Sequence, residues 1–234
     1  MYTKTIYLLS YFISRRIKND LKKIRTLSGY LDYAYNFKFF LITIAPKQIK
    51  SEILTLLKIL NKVKPRVVCE IGTALGGTLF LFSRILCAEG CLISLDLPGG
   101  KFGGGYPKWK IPMYRSFVAY GTELHLIRAD SHSKDCVKQL EKILKGRQID
   151  FLFIDGDHTY EGVRQDFENY KGFVDSKGII AFHDIIHVPH EPEWKVYRFW
   201  NQIKKEYKNI EIIEGKNQPW GGIGILFLDQ ELCE

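Results

Sequence analysis

Two short motifs carry residue types that can hold a divalent cation. Segment 155–158 (DGDH) follows one apolar run, and His183 and Asp184 end another. The carboxyl ends of parallel strands meet at one edge of a sheet, so Asp155, His183 and Asp184 could bind one hard cation, with water completing its shell. His158 would then lie beside that cation, where an imidazole suits removal of a proton from a hydroxyl near neutral pH. The structural alternative is that the second aspartate of the segment caps a helix and the other acids merely end strands.

A glycine-rich loop, segment 70–78 (EIGTALGGT), follows an earlier apolar run. Glycines between a strand and a helix let backbone amides approach a ligand closely, with the positive end of the helix facing it. The dinucleotide fingerprint requires Gly-x-Gly-x-x-Gly, whereas this loop reads Gly-x-x-x-Gly-Gly, with Glu70 two residues before the first glycine. An acid there would repel a pyrophosphate but suits a cationic ligand. The loop therefore favours S-adenosylmethionine over NAD; a turn needed only for packing is the alternative.

Further polar residues end the two runs that follow the glycine loop. Asp96 lies 26 residues after Glu70, where a carboxylate can accept both hydroxyls of a ribose. Asp130 and Ser131 end the next run and could bind an adenine amino group. Each signal is weak alone, but three acids at the ends of three successive runs predict a nucleoside site.

These residues would be positioned by a regular alternation of apolar runs and helical stretches from residue 66 onward. The predicted strands are 66–72, 91–97, 123–130, 149–156 and 178–185, and the helices lie near 50–63, 76–88, 133–145, 159–173 and 193–208. Near-continuous apolar runs are typical of parallel strands covered on both faces. The pattern predicts a doubly wound, Rossmann-like α/β sheet. Runs 210–214 and 222–229, separated by a turn-rich stretch, predict an antiparallel pair at one edge.

Segment 98–114 is long for a connection between a strand and a helix. It holds five glycines and three prolines together with Phe102, Tyr106, Trp109 and Tyr114. Long loops at the carboxyl edge of a parallel sheet usually form lids or substrate walls. A disordered insertion is the alternative, but it would leave four aromatic rings in water. Beyond this loop, Trp194, Phe199 and Trp200 at helical spacing predict core packing.

The basic excess of the chain is confined to its N-terminal part. The chain has 34 Lys and Arg and 26 Asp and Glu, whereas residues 1–65 alone hold 13 basic and 3 acidic residues. The pattern of residues 1–28 predicts one or two basic amphipathic helices. These helices could cap the sheet, contact a second subunit, attach to anionic lipid or bind nucleic acid. No motif of a nucleic-acid reader accompanies them. We predict a helical extension over 1–49 and one α/β domain over 50–234.

Cysteine usage and hydropathy indicate a cytoplasmic protein. The five cysteines are odd in number and scattered, which is typical of reduced thiols: Cys69, Cys87, Cys91, Cys136 and Cys233. The longest N-terminal apolar run, 6–13, is shorter than the roughly 20 residues that span a bilayer, and no small-residue cleavage site follows it. We expect neither secretion nor a membrane span.

The order of these motifs resembles that of the class I S-adenosylmethionine-dependent methyltransferases. The chain reads EIGTALGGT, LDLPGG, RADSH, FIDGDHTYEGV followed by an aspartate three residues on, and GIIAFHD. More narrowly, it is similar to the metal-dependent subgroup that includes the cephalosporin hydroxylase-like, macrolide-sugar and rhamnosyl O-methyltransferases. The resemblance covers roughly residues 45–229, and the IDGDHTYEGV block is its most specific part.

The resemblance implies roles for individual residues. The methionine part of the cofactor would lie at the glycine loop, the ribose at Asp96 and the adenine near Asp130. The implied cofactor-binding residues are Glu70, Gly72, Thr73, Ala74, Gly76, Thr78, Asp96, Asp130, Ser131 and Asp155. The metal would fall on Asp155, His183 and Asp184, with His158 as the base. In the family the pair at 183 and 184 is usually two acids or an acid with an amide, and His183 departs from that pattern. The change could weaken magnesium binding, favour manganese or a softer metal, or leave a site that works without metal.

Together these observations predict an S-adenosylmethionine-dependent O-methyltransferase. It would be assisted by Mg²⁺ or another divalent metal and would act on a hydroxyl of a small molecule or saccharide. The alternative is a non-catalytic module on the same fold that binds nucleic acid or a membrane surface, with steep salt dependence. An NAD-dependent oxidoreductase is disfavoured by the glycine spacing. The N-terminal segment could also be the arm of a homo-oligomer.

Overall fold

The computed structural model describes residues 2–102, 104–215 and 217–229, and their side chains from residue 7 onward. The end of the predicted domain, 230–234 with Cys233, lies outside the described residues. The helices are α1 (Tyr2–Leu21), α2 (Leu27–Asn36), α3 (Lys50–Val63), α4 (Gly77–Ile85), α5 (Ile111–Arg115), α6 (Lys134–Leu144), α7 (Tyr160–Tyr170) and α8 (Val196–Ile203). The strands are β1 (Lys38–Phe39), β2 (Ile42–Thr43), β3 (Val67–Ile71), β4 (Cys91–Leu95), β5 (Glu123–Ile127), β6 (Ile149–Ile154), β7 (Val174–His183), β8 (Lys208–Ile212) and β9 (Ile223–Phe227).

Seven strands form the central sheet in the order β5-β4-β3-β6-β7-β9-β8. Strands β3 to β7 are parallel, and β9 runs antiparallel between β7 and β8. The predicted doubly wound α/β sheet with its antiparallel edge is confirmed. The strand order reverses beside β3, where β4 and β6 flank it on opposite sides, and such a reversal opens a crevice beyond the carboxyl ends of the strands.

The sheet separates two apolar cores because successive side chains of a strand point to opposite faces. On β3, Val68 belongs to one core and Cys69 to the other. The first core includes residues of α3 and α4 and also Ile13 and Ile17 of α1; the second includes residues of α6, α7 and α8. α1 and α2 therefore share the core of the first face, as the capping interpretation expects. The domain division at residue 49 stays a prediction.

The N-terminal segment contains two helices and a hairpin. α2 begins at Leu27, near the end of the stretch 1–28 predicted to form basic amphipathic helices, and lies within the predicted helical extension 1–49. Its N-cap Thr26 accepts a hydrogen bond from Gly29 N. The two-residue strands β1 and β2 pair in antiparallel register. Among the described helices, none combines the length and apolarity that a membrane crossing requires.

Candidate active site

The carboxyl ends of β3 to β6 surround a cavity of about 290 Å³. Six of the predicted cofactor-binding residues line it: Gly72, Ala74, Asp96, Asp130, Ser131 and Asp155. Thr73 and Thr78 line a second cavity of about 20 Å³, which shares Gly72, Ala74 and Asp155 with the first. Glu70 and Gly76 line neither cavity among the described residues. Their assignment as cofactor-binding residues stays a prediction.

The glycine loop approaches its neighbours too closely for side chains. Gly72 has φ +94°, and a Cβ on it would lie 1.9 Å from the carbonyl oxygen of Asp155. Gly76 has φ +88°, and its Cβ would lie 2.5 Å from the ring of Tyr114. Asp155 N donates to Ile71 O at 2.9 Å, which fixes the end of β6 against the start of the loop. Glycine at these two positions is therefore a packing requirement of the loop.

Asp96 ties the glycine loop to the long loop after β4. Its Oδ2 accepts from Ala74 N at 3.1 Å, and its Oδ1 accepts from Gly105 N at 2.9 Å. Burial raises the pKa of Asp96, and the backbone amides of Gly105 and Ala74 partly oppose that rise. Each carboxylate oxygen has two lone pairs, so both retain acceptor capacity toward a ligand in the cavity.

Ser131 belongs to a buried network beside the cavity. Its hydroxyl donates to Asp166 Oδ1 at 2.7 Å, and Tyr170 donates to the Ser131 carbonyl at 2.6 Å. His132 Nε2 lies 3.2 Å from the same Asp166 oxygen. That carboxylate raises the pKa of His132, and burial raises the pKa of Asp166. Asp166 was quoted in the sequence motif but given no role; it orients Ser131 and His132, which line the cavity.

The candidate cation site lies where β6 and β7 end. One ligand atom from each of Asp155, His158 and Asp184 lies within 4.8 Å of the others. His183 Nδ1 lies between the two carboxylates, 3.2 Å from Asp155 Oδ1 and 3.4 Å from Asp184 Oδ2. Burial lowers the pKa of His183, but the Asp184 and Asp155 carboxylates outweigh it and hold the pKa well above its usual value. The structure thus brings together the four residues that the sequence assigned to metal binding and proton transfer.

His158 is enclosed by aromatic side chains. Its ring stacks on Phe102 at 5.0 Å with an interplanar angle of 3°, and Trp194 meets it edge-on at 4.7 Å. Lys101 and Glu193 form an ion pair at 2.7 Å between the same two loops. The loop after β4 therefore covers His158, as expected of a lid; its Gly103 lies outside the described residues. Core packing is correct for Phe199 and Trp200 but wrong for Trp194, because α8 starts only at Val196.

Gln48, placed by sequence in the N-terminal extension, reaches the site. Its Nε2 donates to Asp155 Oδ2 at 2.7 Å, while its buried Oε1 has no hydrogen-bond partner among the described residues. It lines the smaller cavity together with Lys47. The contact spans 107 positions of the chain, and no local pattern around Gln48 indicates it.

Glu70 is fully buried beneath the glycine loop. Burial raises the pKa of Glu70 from 4.5 to about 8, although the nearby hydroxyls of Thr78 and Thr73 act in the opposite direction. Neither oxygen has an aligned hydrogen-bond partner among the described residues. Between its ordinary pKa and pH 8 the folded chain binds more protons at this group than the unfolded chain does. Glu70 therefore makes the protein less stable as pH rises through that window.

Replacing Glu70 with glutamine should remove this loss of stability. We expect Glu70→Gln to exceed the wild-type free energy of unfolding at pH 9, by on the order of 1.4 kcal/mol for each unit by which the pKa is raised. The margin should shrink toward pH 5. Urea unfolding at both pH values measures it, with Glu161→Gln on the exposed start of α7 as the matched control. Parallel pH profiles for wild type and Glu70→Gln would contradict the expectation.

The sheet order, the reversal beside β3 and the glycine loop at that reversal define a Rossmann-like α/β protein with a nucleoside-sized cleft. Residues 69–185, half of the chain, match a family model described as a methyltransferase domain. The chain belongs to this methyltransferase family. The family that the sequence motifs resemble is thereby confirmed.

Solved structures share the fold at low sequence identity. The O-methyltransferase TomG from Streptomyces achromogenes, in complex with SAM, is 15% identical with a TM-score of 0.57, over 87% of this chain and 89% of that one. An O-methyltransferase from Bacillus cereus, in complex with SAH, is 16% identical with a TM-score of 0.55, over 86% and 90%. At these identities the likeness supports the fold alone.

Two relatives match at the level of sequence. An uncharacterized protein of Sinorhizobium fredii is 23% identical over 181 residues, and one of Acanthamoeba polyphaga mimivirus is 31% identical over 106 residues. The match covers 75% and 44% of this chain but only 18% and 43% of those proteins. This chain therefore matches less than half the length of either relative.

Proposed function

We propose that the protein is an S-adenosylmethionine-dependent O-methyltransferase that acts on a hydroxyl of a small molecule or saccharide. The observation that carries this proposal is the cavity of about 290 Å³ between the glycine loop, Asp96 and Asp130. The TomG structure is a complex with SAM and the Bacillus cereus structure is a complex with SAH, which supports the choice of cofactor. When bound, the cofactor supplies an electrophilic methyl group on a sulfonium ion.

The chain's own residues would bind and orient that cofactor. Asp96 presents a carboxylate already held by two backbone amides, which suits the two hydroxyls of a ribose. Asp130 and Ser131 line the same cavity farther along the sheet edge, where they could face the adenine. Because Asp166 and Tyr170 hold Ser131 in place, that end of the cavity is organised before a ligand enters.

The donor set where β6 and β7 end fits a divalent cation. Asp155 and Asp184 offer carboxylates and His183 offers an imidazole, and Asp184 Oδ1 and His183 Nε2 are buried without a partner among the described residues. Two carboxylates with one imidazole suit manganese or a softer metal as well as magnesium. When bound, the cation would lower the pKa of an acceptor hydroxyl.

His158 is assigned as the base of the proposed reaction. Its Nδ1 lies 3.3 Å from Asp184 Oδ2, a contact that can tighten into a hydrogen bond when substrate binds. A proton on Nδ1 directed at Asp184 leaves Nε2 free to accept the proton of the acceptor hydroxyl. Phe102 and Trp194 hold the ring between them and limit the access of water. Their faces also suit an acceptor with a ring, whether sugar or aromatic.

Thermal unfolding with S-adenosylhomocysteine tests the cofactor assignment. At about 100 times the dissociation constant a ligand adds roughly 2.7 kcal/mol, which should raise the midpoint by about 5–10 °C. NAD at the same concentration is the control and should leave the midpoint unchanged. A higher midpoint with NAD, or an unchanged midpoint with S-adenosylhomocysteine, would contradict the assignment of this cavity to the methyltransferase cofactor.

Manganese binding tests the cation assignment separately. We expect the protein to bind one equivalent of Mn²⁺ in equilibrium dialysis, and Asp184→Asn to lose it, because one of two carboxylate ligands is removed. Asp135→Asn in the exposed first turn of α6 is the matched control. Equal binding by wild type and Asp184→Asn would place the ion elsewhere, without affecting the cofactor proposal.

A further inference from the structure

The outer face of α1 exposes bulky side chains that the fold does not use. Ile13 and Ile17 turn inward and are fully buried, whereas on the opposite side Leu8, Tyr11 and Phe12 are 55%, 60% and 50% exposed. Residues three and four apart share one side of a helix, so Leu8, Tyr11 and Phe12 form one surface. Soluble proteins seldom leave such a cluster in water unless it binds something.

The tip of the β1–β2 hairpin adds two more apolar side chains. Phe40 is 84% exposed and Leu41 is 101% exposed. Arg16, one turn after Phe12, donates from Nη1 to Lys38 O at 3.1 Å. Its guanidinium also lies 5.7 Å from the ring centroid of Phe39. The hairpin is thus held against the side of α1 that carries Phe12. We call Leu8, Tyr11, Phe12, Phe40 and Leu41 the N-terminal patch.

Basic residues continue the outer face of α1 beyond the patch. Arg15, Lys18 and Lys22 are exposed, follow Tyr11 at helical spacing, and form no ion pair among the described residues. The one acid of α1, Asp20, is contacted by Arg16 and by the hydroxyl of Tyr33. Residues 1–65 carry 13 basic and 3 acidic residues in all. The patch is therefore bordered by uncompensated positive charge.

We propose that α1 and the hairpin tip dock the protein onto an anionic membrane surface. Tyr, Phe and Leu side chains beside a row of Lys and Arg are typical of helices that lie in the interface of a bilayer. An anionic leaflet would offer negative headgroups to the basic residues and an apolar layer in which the N-terminal patch could be buried. A second copy of the chain would bring the same positive charge against itself, and nucleic acid would leave the leucines uncovered.

The docking helix adjoins α5, which contacts the glycine loop. Ser14 of α1 donates to the carbonyl of Pro112 in α5 at 3.0 Å. Tyr114, in the same short helix, donates to Ala74 O in the glycine loop at 3.2 Å. Membrane docking through α1 would therefore hold the cleft at a fixed position relative to the lipid surface.

Vesicle co-sedimentation of the full chain tests the proposal. We expect binding to vesicles with about 30% phosphatidylglycerol but not to pure phosphatidylcholine, and loss of binding at about 0.5 M salt. Reversal of three charges (Arg15→Glu, Lys18→Glu, Lys22→Glu) should lower partition by at least about 10²-fold, since each basic residue near the surface contributes about fivefold and each glutamate adds repulsion. Removal of the patch (Tyr11→Ser, Phe12→Ser, Leu41→Ser) should lower it by about tenfold.

Matched controls separate docking from general charge and hydrophobicity. Reversal of three exposed lysines of α6 (Lys134, Lys138, Lys142) changes the net charge equally and should leave binding intact. So should serine at three exposed apolar positions elsewhere (Val63, Tyr120, Ile213). Unchanged unfolding midpoints, and an unchanged response to S-adenosylhomocysteine, would show that the variants fold.

Three results would overturn the proposal. One is no partition into anionic vesicles at low salt; another is equal loss in the matched controls. The third is a dimer in light scattering, or a complex with RNA, that the patch variant abolishes while vesicle binding persists. None of these results depends on the proposed methyltransferase activity.

Discussion

Replacing Gly72 with alanine should abolish the response to S-adenosylhomocysteine and lower the unfolding midpoint by about 8–16 °C. The new Cβ would lie 1.9 Å from the carbonyl oxygen of Asp155, which is backbone and cannot turn aside. The alanine would also hold a φ of +94°. Either β3 or the end of β6 must move, and both line the cavity. We expect a destabilisation of at least about 4 kcal/mol, the range seen for severe steric conflicts in a core.

Gly146→Ala is the matched control for this substitution. Gly146 has φ +84°, close to that of Gly72, but a Cβ there meets no atom within 4 Å. It should cost only the roughly 1–2 kcal/mol of a left-handed alanine and leave ligand stabilisation intact. Differential scanning fluorimetry of the two variants, with and without S-adenosylhomocysteine, makes the comparison. A Gly72→Ala protein that still responds like wild type would show that the loop is not part of the cofactor cavity.

The centre of the sheet was predictable because strands such as β3 and β4 are buried on both faces and therefore read as apolar runs. Every residue of β3 and β4 is buried. β7 was predicted to begin at residue 178, but it begins at Val174. Its residues 175–177 include polar and exposed positions, and the pairing with β6 shifts register there. A polar irregularity at the start of a strand looks like a turn in the sequence.

Predicted strand ends ran past the observed ends at the residues that form the site. Asp96 and Asp155 each follow the last strand residue by one position. Such residues leave the pleat so that their side chains can face the crevice beyond the sheet. The chemistry of these positions was therefore readable from sequence, whereas the hairpin of β1 and β2, only two residues per strand, offered no periodic signal.

Other parts of the site depend on contacts between distant segments. Gln48 reaches Asp155, and Trp194 packs on His158. Phe102 lies on the opposite side of the same imidazole. Glutamine, phenylalanine and tryptophan also occur elsewhere in loops and cores, so these residue types alone do not indicate a place in the site. Only the packing of three loops at one sheet edge brings them together, and local sequence patterns do not encode that packing.

His158→Ala should lower turnover by about 10²–10⁴-fold, the usual effect of losing a general base. Cofactor affinity should not change, because His158 does not line the cofactor cavity, although its neighbours Asp157 and Thr159 do. Turnover is measured as release of S-adenosylhomocysteine with an acceptor found by screening saccharides and aromatic diols. His190→Ala, on the exposed loop before α8, is the matched control and should retain full turnover.

The same variant separates a base from a metal ligand. A ring nitrogen of His158 lies within 4.8 Å of carboxylate oxygens of Asp155 and Asp184, so the three could share one ion. A loss of turnover alone would therefore fit either role. If His158 is the base, His158→Ala should still bind one equivalent of Mn²⁺ and still respond to S-adenosylhomocysteine. If His158→Ala loses both Mn²⁺ binding and turnover, His158 is a ligand of the cation and not the base. His183 would then be the residue that lies between the two carboxylates. Turnover equal to that of His190→Ala would remove His158 from both roles, because neither a base nor a ligand can be deleted without effect.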